Sequence, residues 1–105
     1  MHGVLITFTS AFTLDEVHAT FTDYAAALND IPGLLTKAWL RTDDGFGGFH
    51  LFEDESAAQG YLGSELAAGL VGTDGFENFR IEHFDVLDDL SARTGIGALP
   101  ALAGS

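Results

Sequence analysis

One block, residues 31–55, constrains the fold of this chain more than any other. It contains an apolar strand from Leu34 to Arg41, a polar Asp-Asp-Gly turn, and a second strand from about Gly48 to Phe52 that leads directly into a helix start. Two strands joined by such a turn predict an antiparallel hairpin. The block also holds the only Trp, two of the four Lys and Arg residues, and a His among apolar neighbours. The fold and much of the candidate chemistry therefore come from the same segment.

The first part of the chain predicts a strand followed by an amphipathic helix. Apolar side chains alternate with the others from Val4 to Thr9, which is the pattern of a strand. Thr13 and Glu16 form a capping box, in which each side chain satisfies a free backbone amide at a helix start. Apolar residues then recur at helical spacing, so we expect the helix to run to about Leu28.

The second half predicts a weak helix and a last strand. We expect Asp54 or Ser56 to cap the helix, and three glycines to weaken it at a cost of about 1 kcal/mol each relative to Ala. The helix should break near Ser64 and continue as one short turn. A last strand is predicted over about residues 76–86.

The predicted order is β-α-β-β-α-β, an α+β ferredoxin-like fold with both helices on one face of a four-stranded antiparallel sheet. The other face would expose Phe, Leu, Val and Trp, and a large bare apolar face is unusual in a monomer. A second copy packed sheet against sheet, as an isologous homodimer, is the simplest cover. We assign residues 1–90 to this domain. Residues 91–105 are rich in small side chains, and we expect a tail that is poorly ordered or packed on the partner.

The net charge of the chain excludes two classes of binding partner. Sixteen acidic residues against four Lys and Arg give a net charge of −12 at pH 7. Such a surface repels phosphate backbones and anionic lipid, so we expect neither nucleic acid nor membrane as a partner. There is no Cys, hence no disulfide or thiol chemistry. The start of the chain lacks a basic region followed by an apolar run, so a cytoplasmic location is expected.

Several segments resemble the YdhR-like monooxygenase family of the dimeric α+β barrel superfamily. In chain order they are Pro32-Gly33-Leu34, Lys37-x-Trp39-Leu40, Gly47-Gly48, and Leu51-Phe52-Glu53-Asp54-Glu55 followed by Ala58 and Tyr61-Leu62. A weaker match at residues 84–86 extends the likeness over about Val4 to Leu90. His50 and His83 depart from the family pattern, in which we expect Tyr-like and aliphatic residues at these positions.

The resemblance implies a ferredoxin-like subunit whose sheet forms a barrel with its partner, and a small-molecule cavity between sheet and helices. Characterised members of the superfamily oxygenate polyketide phenols without a cofactor, cyclise or isomerise their substrates by acid–base chemistry, or break down haem. Cofactor-free oxygenation requires a base, an apolar wall, and a donor that holds the substrate anion.

Three side chains are candidates for acid–base catalysis: His50, His18 and Tyr61. Strand alternation places His50 on the same face as Phe52, where it faces either the cavity or the dimer interface. Histidine suits a base because small environmental effects move its pKa across neutrality. His18 would line the cavity from the first helix, and Tyr61 would donate from the second. Each has a structural alternative. His50 would be a core residue whose hydrogen bonds are satisfied, His18 would be half-exposed, and Tyr61 would be a core residue.

Four further side chains are candidates for substrate binding: Trp39, Lys37, Phe52 and His83. Lys37 lies two residues from Trp39 on the same face, where it would hold a substrate oxygen or pair with a carboxylate at the strand edge. Trp39 would form a cavity wall or pack as ordinary core or interface. A dimer-interface role is the main alternative for His83.

We expect no metal and no cofactor. The four His residues show no H-x-H or H-x₃-H spacing. A net charge of −12 suits a dianionic porphyrin badly, and no Gly-rich phosphate loop precedes a helix.

The sequence thus predicts a small-molecule enzyme, a cofactor-independent monooxygenase acting on an aromatic or polyketide-type substrate between sheet and helices. Two alternatives stay open. One is a cyclase or isomerase that uses His and Tyr for acid–base chemistry, and the other is a non-catalytic ligand-binding or dimerisation module. A cavity of a few hundred cubic ångströms would favour an enzyme over a module.

Overall fold

The computed structural model describes residues 1–96, and its elements follow the predicted order. Its strands are His2–Thr9 (β1), Leu34–Arg41 (β2), Gly45–Phe52 (β3) and Glu77–Asp85 (β4). Its helices are Leu14–Leu28 (α1), Glu55–Leu62 (α2), Glu65–Val71 (α3) and Asp88–Arg93 (α4). None of these helices is long and apolar enough to cross a bilayer.

The four strands form one antiparallel sheet in the order β2-β3-β1-β4. β1 lies inside the sheet and pairs with β3 without interruption, from His2 opposite Phe52 to Thr9 opposite Gly45. β4 pairs with the other edge of β1 and carries a bulge at Asn78, whose φ of 54° lies in the left-handed region. This topology confirms the predicted α+β ferredoxin-like fold.

The core lies between the sheet and helices α1, α2 and α3. Val4, Ile6 and Phe8 alternate along β1 towards the helices and are at most 6% exposed, as the period of two predicts. One buried cluster comprises Val4, Ile6, Leu28, Phe52, Ala58, Tyr61 and Ala67. The other comprises Phe8, Val17, Phe46 and Phe76. Since all three helices contribute to these clusters, they share the inner face of the sheet.

The helix starts carry the side chains that the sequence indicated. The Thr13–Glu16 capping box is present, with both reciprocal hydrogen bonds to backbone amides. Asp54, one of the two predicted caps, accepts a hydrogen bond from the Ala57 amide. The predicted break falls at Ser64, which caps α3.

The structure differs from the prediction at the start of β3 and by an additional helix, α4. β3 begins at Gly45 rather than Gly48, because its glycines continue the ladder with β1. The register passes through Gly47 and Gly48 without a bulge, so the side-chain parity predicted for His50 holds. α4 was not predicted, and it spans the proposed boundary between residues 90 and 91. That boundary stays a prediction, and residues 97–105 of the tail lie outside the described residues.

The outer face of the sheet carries apolar side chains opposite the helices. Leu40 of β2 and Phe84 of β4 are 36% and 45% exposed. Phe49 of β3 lies between them on this face, with its ring 6.4 Å from that of Phe84. The outer face therefore carries the expected Phe and Leu side chains, whereas the Trp and Val also expected there, Trp39 and Val4, lie on the inner face.

Candidate functional site

A small cavity lies between the sheet and the helices, near the middle of the inner face. Its volume is about 10 Å³, and its walls come from β1, β2, β3, α1 and α3. Most of its ten lining residues are apolar or glycine, with three ionisable exceptions: Tyr24, Lys37 and His50. We call this space the central cavity.

His50 is buried in the middle of β3, with an exposed fraction of 1%. Its Nδ1 lies 3.3 Å from the Val4 carbonyl oxygen, which can only accept a hydrogen bond, so the ring proton belongs on Nδ1. Its Nε2 has no hydrogen-bond partner in the described chain. Burial, aided by the positive charge of Lys37, lowers the His50 pKa to about 4. At neutral pH the imidazole is therefore uncharged, with a free lone pair on Nε2.

Lys37 reaches the central cavity from β2 and is held by aromatic rings. Its Nζ lies 3.6 Å from the ring centroid of Trp39 and 5.1 Å from that of Tyr24. Within residues 1–96 no carboxylate lies close enough to pair with it, so the predicted alternative of a strand-edge ion pair is not seen there. Burial lowers the pKa of Lys37 to about 8.

Gly48 provides the space that Lys37 occupies. Position 48 lies on the inner face beside Trp39, and a β-carbon there would overlap Cε of Lys37. The same β-carbon would come within 3.3 Å of Cε1 of His50. A side chain at position 48 would therefore displace the end of the Lys37 side chain and press on the His50 ring.

Two tyrosines connect the central cavity to the helices. The hydroxyl oxygens of Tyr24 on α1 and Tyr61 on α2 are 2.5 Å apart and share a hydrogen bond. Burial is the main cause that raises the pKa of both phenols, so both stay protonated at neutral pH. The ring of Tyr61 lies 5.3 Å from that of His50. A phenolic donor pair thus lies beside the imidazole.

An apolar groove of about 350 Å³ adjoins the central cavity, between β1 and β4 on one side and α2 and α3 on the other. Ile6 and Leu70 line both spaces and form the wall between them. Tyr61 is the one polar side chain among the described lining residues of the groove. Ile81 and Val71 at its rim are about half exposed, so the groove opens to solvent. We call it the apolar groove.

A larger surface groove of about 460 Å³ lies where the loop before β2 meets α2. Its ionisable wall residues are Glu53, Asp54 and Tyr61; Asp54 already caps α2, and Tyr61 is bonded to Tyr24. It lacks a cation and a His, so its residues offer less chemistry than the central cavity.

The structure brings together some of the predicted site residues and leaves others apart. His50, Lys37 and Trp39 line the central cavity, and Tyr61 lines the adjoining groove. Phe52 is fully buried and stacks on His50 with ring centroids 6.2 Å apart, so it supports the imidazole instead of forming a cavity wall.

The other two predicted histidines lie away from the site. His18 is exposed on α1 and belongs to none of the described cavity walls, so the predicted cavity-lining position is not observed. His83 is exposed on β4, where its Nδ1 lies 2.9 Å from Nε2 of His2. The two rings form a separate pair at the end of the sheet.

Tyr24 and Gly48 are site residues that the sequence analysis missed. Tyr24 belongs to the apolar stripe that predicts α1, and the available signal was its hydroxyl, because a phenol on a buried helix face needs a hydrogen-bond partner. For Gly48 the signal was the Gly-Gly pair, since a glycine inside a strand marks either a bulge or a close approach.

No group of three or more His, Cys, Asp or Glu side chains in residues 1–96 is placed to hold a metal ion. The donors of the central cavity are instead one imidazole, one amine and a phenol. Such a set is suited to binding and moving protons.

Comparison with known proteins gives a family match and a set of structural neighbours. The model of a family described as "Putative mono-oxygenase ydhR" matches residues 4–95. A search of curated proteins finds no match to this chain.

Three solved structures illustrate the likeness. A putative antibiotic biosynthesis monooxygenase from Caulobacter crescentus is 23% identical, with a TM-score of 0.66 over 82% of this chain and 89% of that one. SnoaB, a cofactor-independent oxygenase from Streptomyces nogalater, is 17% identical, with a TM-score of 0.65 over 81% and 91%. The haem degrader MhuD from Mycobacterium tuberculosis, with two haems bound, is 16% identical, with a TM-score of 0.65 over 83% and 96%. At these identities the likeness concerns the fold alone, the ferredoxin-like α+β arrangement of sheet and helices.

Proposed function

This chain belongs to the ydhR family of putative mono-oxygenases, and we propose that it is a cofactor-independent oxygenase of an acidic phenol or enol in an aromatic or polyketide-type compound. One observation carries the proposal. The buried Nε2 of His50 has no hydrogen-bond partner within residues 1–96, and it shares the central cavity with Lys37 and Tyr24 among otherwise apolar walls. Unpartnered buried polar atoms are rare in proteins, and a catalytic role is one of their recognised explanations.

In this proposal His50 is the base. Its Nδ1–H is fixed by the Val4 carbonyl, so Nε2 is the atom that accepts a proton from the substrate. Above pH 4 the imidazole is neutral and ready to accept a proton, although its low pKa makes it a weak base in the empty site. A substrate anion formed beside it would stabilise the imidazolium, which raises the effective basicity once substrate is bound.

Lys37 supplies the positive charge for that anion. Its ammonium is held by the faces of Trp39 and Tyr24, and no carboxylate of residues 1–96 neutralises it. In a site of low polarity such a charge stabilises an enolate or phenolate far better than it would in water. The cation therefore favours the deprotonated substrate over the neutral one.

The apolar groove provides the space for the body of the substrate. Its volume of about 350 Å³ falls within the range of small-molecule pockets, which is the size the sequence analysis set for an enzyme. Tyr61 offers a hydroxyl within it, shared with Tyr24. Movement of the Leu70 side chain, which lines both spaces, would let the reacting carbon and oxygen reach His50.

The proposed reaction balances without a cofactor. His50 takes the proton of the phenol or enol, and the resulting anion gives one electron to dioxygen. The substrate radical and superoxide then join in a carbon–oxygen bond, and the imidazolium returns its proton to the terminal oxygen. Loss of water from the hydroperoxide, with the hydrogen of the same carbon, leaves a carbonyl. Overall a CH₂ or aromatic CH group and O₂ become a carbonyl or quinone and water.

The proposed assembly is a homodimer joined through the outer face of the sheet. It is supported by the exposure of Leu40 and Phe84 on a face that α1, α2 and α3 do not cover. The cytoplasmic location stays a prediction.

The second candidate function is acid–base cyclisation or isomerisation without oxygen. The Tyr24–Tyr61 hydroxyl pair favours it, because a shared phenolic proton beside an imidazole is suited to transferring a proton between two carbons. The two candidates share the site and differ in whether dioxygen is consumed.

Oxygen uptake with a panel of anthrones and polyhydroxylated aromatics, monitored together with product mass, tests the proposal. We expect uptake of one O₂ per product, lost in His50→Ala and kept in the matched control His18→Ala, which removes an exposed His outside the site. A product isomeric with its substrate, formed without oxygen uptake, would establish the second candidate. Equal activity of His50→Ala and the unmodified chain would exclude both mechanisms.

A further inference from the structure

Lys37 is the only lysine of the chain, and it contributes to the walls of two spaces. One is the central cavity, and the other is a groove of about 310 Å³ between the end of α1 and the edge strand β2, which we call the edge groove. We propose that Lys37 is an imine-forming lysine, whose side-chain amine condenses with an uncharged aromatic aldehyde held in the edge groove. This activity goes beyond the proposed function and does not rest on it.

The edge groove gives a small molecule access to Lys37 from outside the protein. Its volume falls within the range of ligand pockets, whereas the central cavity, at about 10 Å³, admits about one water-sized group. Asn29 and Thr36 at its rim are exposed, and Lys37 itself is only partly buried. A carbonyl compound can therefore approach the lysine without first entering the core.

The surroundings of Lys37 leave its amine free to react. No carboxylate of residues 1–96 lies close enough to pair with its Nζ, which instead lies over the rings of Trp39 and Tyr24. The titratable groups around it, His50 on β3 and Tyr24 on α1, are both uncharged at neutral pH. An amine without a counter-ion in a partly apolar site loses its proton readily, which is how lysines that attack carbonyl groups are activated.

The effect of this environment on the amine is large. Burial lowers the pKa of Lys37 to about 8. Near that pH about half of the side chains carry a neutral, nucleophilic amine, whereas an ordinary lysine is almost entirely protonated. The same residue is thus an ammonium on the acidic side of pH 8 and a nucleophile on the alkaline side.

The walls of the edge groove indicate the class of carbonyl compound. Most of them are apolar and come from Ala25, Leu28, Leu34 and Leu35, and the ring of Trp39 completes them. An aromatic ring gains free energy by packing against such walls and against the indole. The net charge of −12 repels anionic carbonyl compounds such as keto acids, but not an uncharged aldehyde.

The proposed step balances without a further reactant. The Lys37 nitrogen attacks the carbonyl carbon and forms a carbinolamine. The carbonyl oxygen then leaves as water with the two hydrogens of the amine, and a carbon–nitrogen double bond replaces the carbon–oxygen double bond. Addition of water reverses both steps and returns the aldehyde, so nothing is oxidised or reduced.

Reductive trapping with benzaldehyde and cyanoborohydride tests the proposal, because the reductant converts an imine into a stable benzylamine. The chain has no other lysine, so peptide mass mapping reports lysine modification at this position alone. At neutral pH we expect Lys37 to be benzylated about a hundredfold faster than Nα-acetyl-lysine, since its lower pKa leaves far more amine neutral. Benzylation of the two amines at equal rates would overturn the proposal.

Variants of α1 test the role of the edge groove. Ala25→Phe narrows the groove, so it should abolish the rate advantage with benzaldehyde and preserve trapping of the smaller acetaldehyde. Ala26→Phe is the matched control, because Ala26 is the next residue of the same helix, exposed and outside the groove. If Ala25→Phe fails to fold, Asn29→Phe replaces it. Benzaldehyde trapping that is the same in the groove variant and in the unmodified chain would overturn the edge groove as the binding site.

The outcome is separable from that of the proposed function, because trapping requires neither a phenol nor dioxygen. Fast benzylation of Lys37 without oxygen uptake on any phenol would exclude the oxygenase and establish the imine-forming lysine. Oxygen uptake with benzylation no faster than that of Nα-acetyl-lysine would leave the oxygenase and overturn the imine-forming lysine.

Discussion

The pKa values of His50 and Lys37 both lie below those of the free side chains, and burial is the principal cause in each case. The His50 pKa falls to about 4 and the Lys37 pKa to about 8. The two shifts leave a window in which the imidazole is neutral while the amine is still protonated. That combination is the one that the proposed chemistry requires.

The window predicts a bell-shaped pH dependence of kcat/KM for oxygen uptake. Activity should rise as the pH increases through about 4, because His50 must lose its proton to act as a base. It should fall as the pH increases through about 8, because Lys37 must keep its proton to hold the anion. Lys37→Arg, which stays protonated, should move only the alkaline limb upward. An alkaline limb that stays in place in this variant would remove Lys37 from the mechanism.

A second prediction at this scale concerns Trp39. Its ring is 40% exposed yet covers the Lys37 ammonium, so Trp39→Ala should weaken ligand binding more than folding. We expect the ligand Kd to rise about tenfold, which is about 1.4 kcal/mol. The free energy of unfolding should fall by about 1 kcal/mol, less than the 3–5 kcal/mol of a buried Trp. Calorimetric titration measures the ligand Kd, and urea unfolding measures the free energy of unfolding. The outer-face variant Leu40→Ala is the control in both experiments. Equal losses in both would make Trp39 ordinary packing.

At the scale of elements, α2 and α3 are weakened by glycines at positions where a side chain could be accommodated. β-carbons at Gly60 and Gly69 would meet nothing within 4 Å, and both positions are helical. Each change to Ala should therefore stabilise the fold by about 0.5–1 kcal/mol in urea unfolding. Gly33→Ala is the contrasting variant: its φ is +78° and its β-carbon would overlap Ala57, so it should destabilise. Unchanged stability in both helix variants would show that these helices fray in solution.

The elements were predictable where the signal is local. The capping box of α1, the β2–β3 hairpin and the break at Ser64 depend on neighbouring residues, and all three are present. The start of β3 was placed three residues late, because Gly45 and Gly47, on either side of Phe46, have weak strand propensity and are held by pairing with β1. No apolar pattern in the sequence predicts α4, because the helix is short and buries none of its residues; its Leu90 is 62% exposed.

The site was predictable only in part, for a reason of geometry. Strand alternation places His50 with Phe52 and Lys37 with Trp39, but it left open whether these faces meet the cavity or the dimer interface; in the structure His50, Lys37 and Trp39 all line the central cavity. Whether His18 reaches the cavity depends on the rotation of α1 about its axis, which the sequence left open. The Tyr24–Tyr61 hydrogen bond joins residues 37 positions apart, so it follows from the packing of two helices and not from any spacing.

At the scale of the whole molecule, the outer face predicts self-association. Phe84→Asp should convert a dimer into a monomer in light scattering at micromolar concentration, because it places a charge in the apolar face. Leu14→Asp is the matched control, since Leu14 is 44% exposed at the start of α1, among the helices of the other face. A monomeric unmodified chain would contradict the prediction. With a net charge of −12 per chain, the dimer should also strengthen with salt.

The contact of Lys37 with Gly48 has a consequence for related sequences. The two positions lie diagonally across neighbouring strands, and a β-carbon at position 48 would occupy the place that Cε of Lys37 now fills. Relatives that retain a lysine at the first position should therefore retain a glycine at the second, and those that acquire any larger residue there should have exchanged the lysine as well. Joint occurrence of this residue pair would separate members that share this chemistry from those that share merely the architecture.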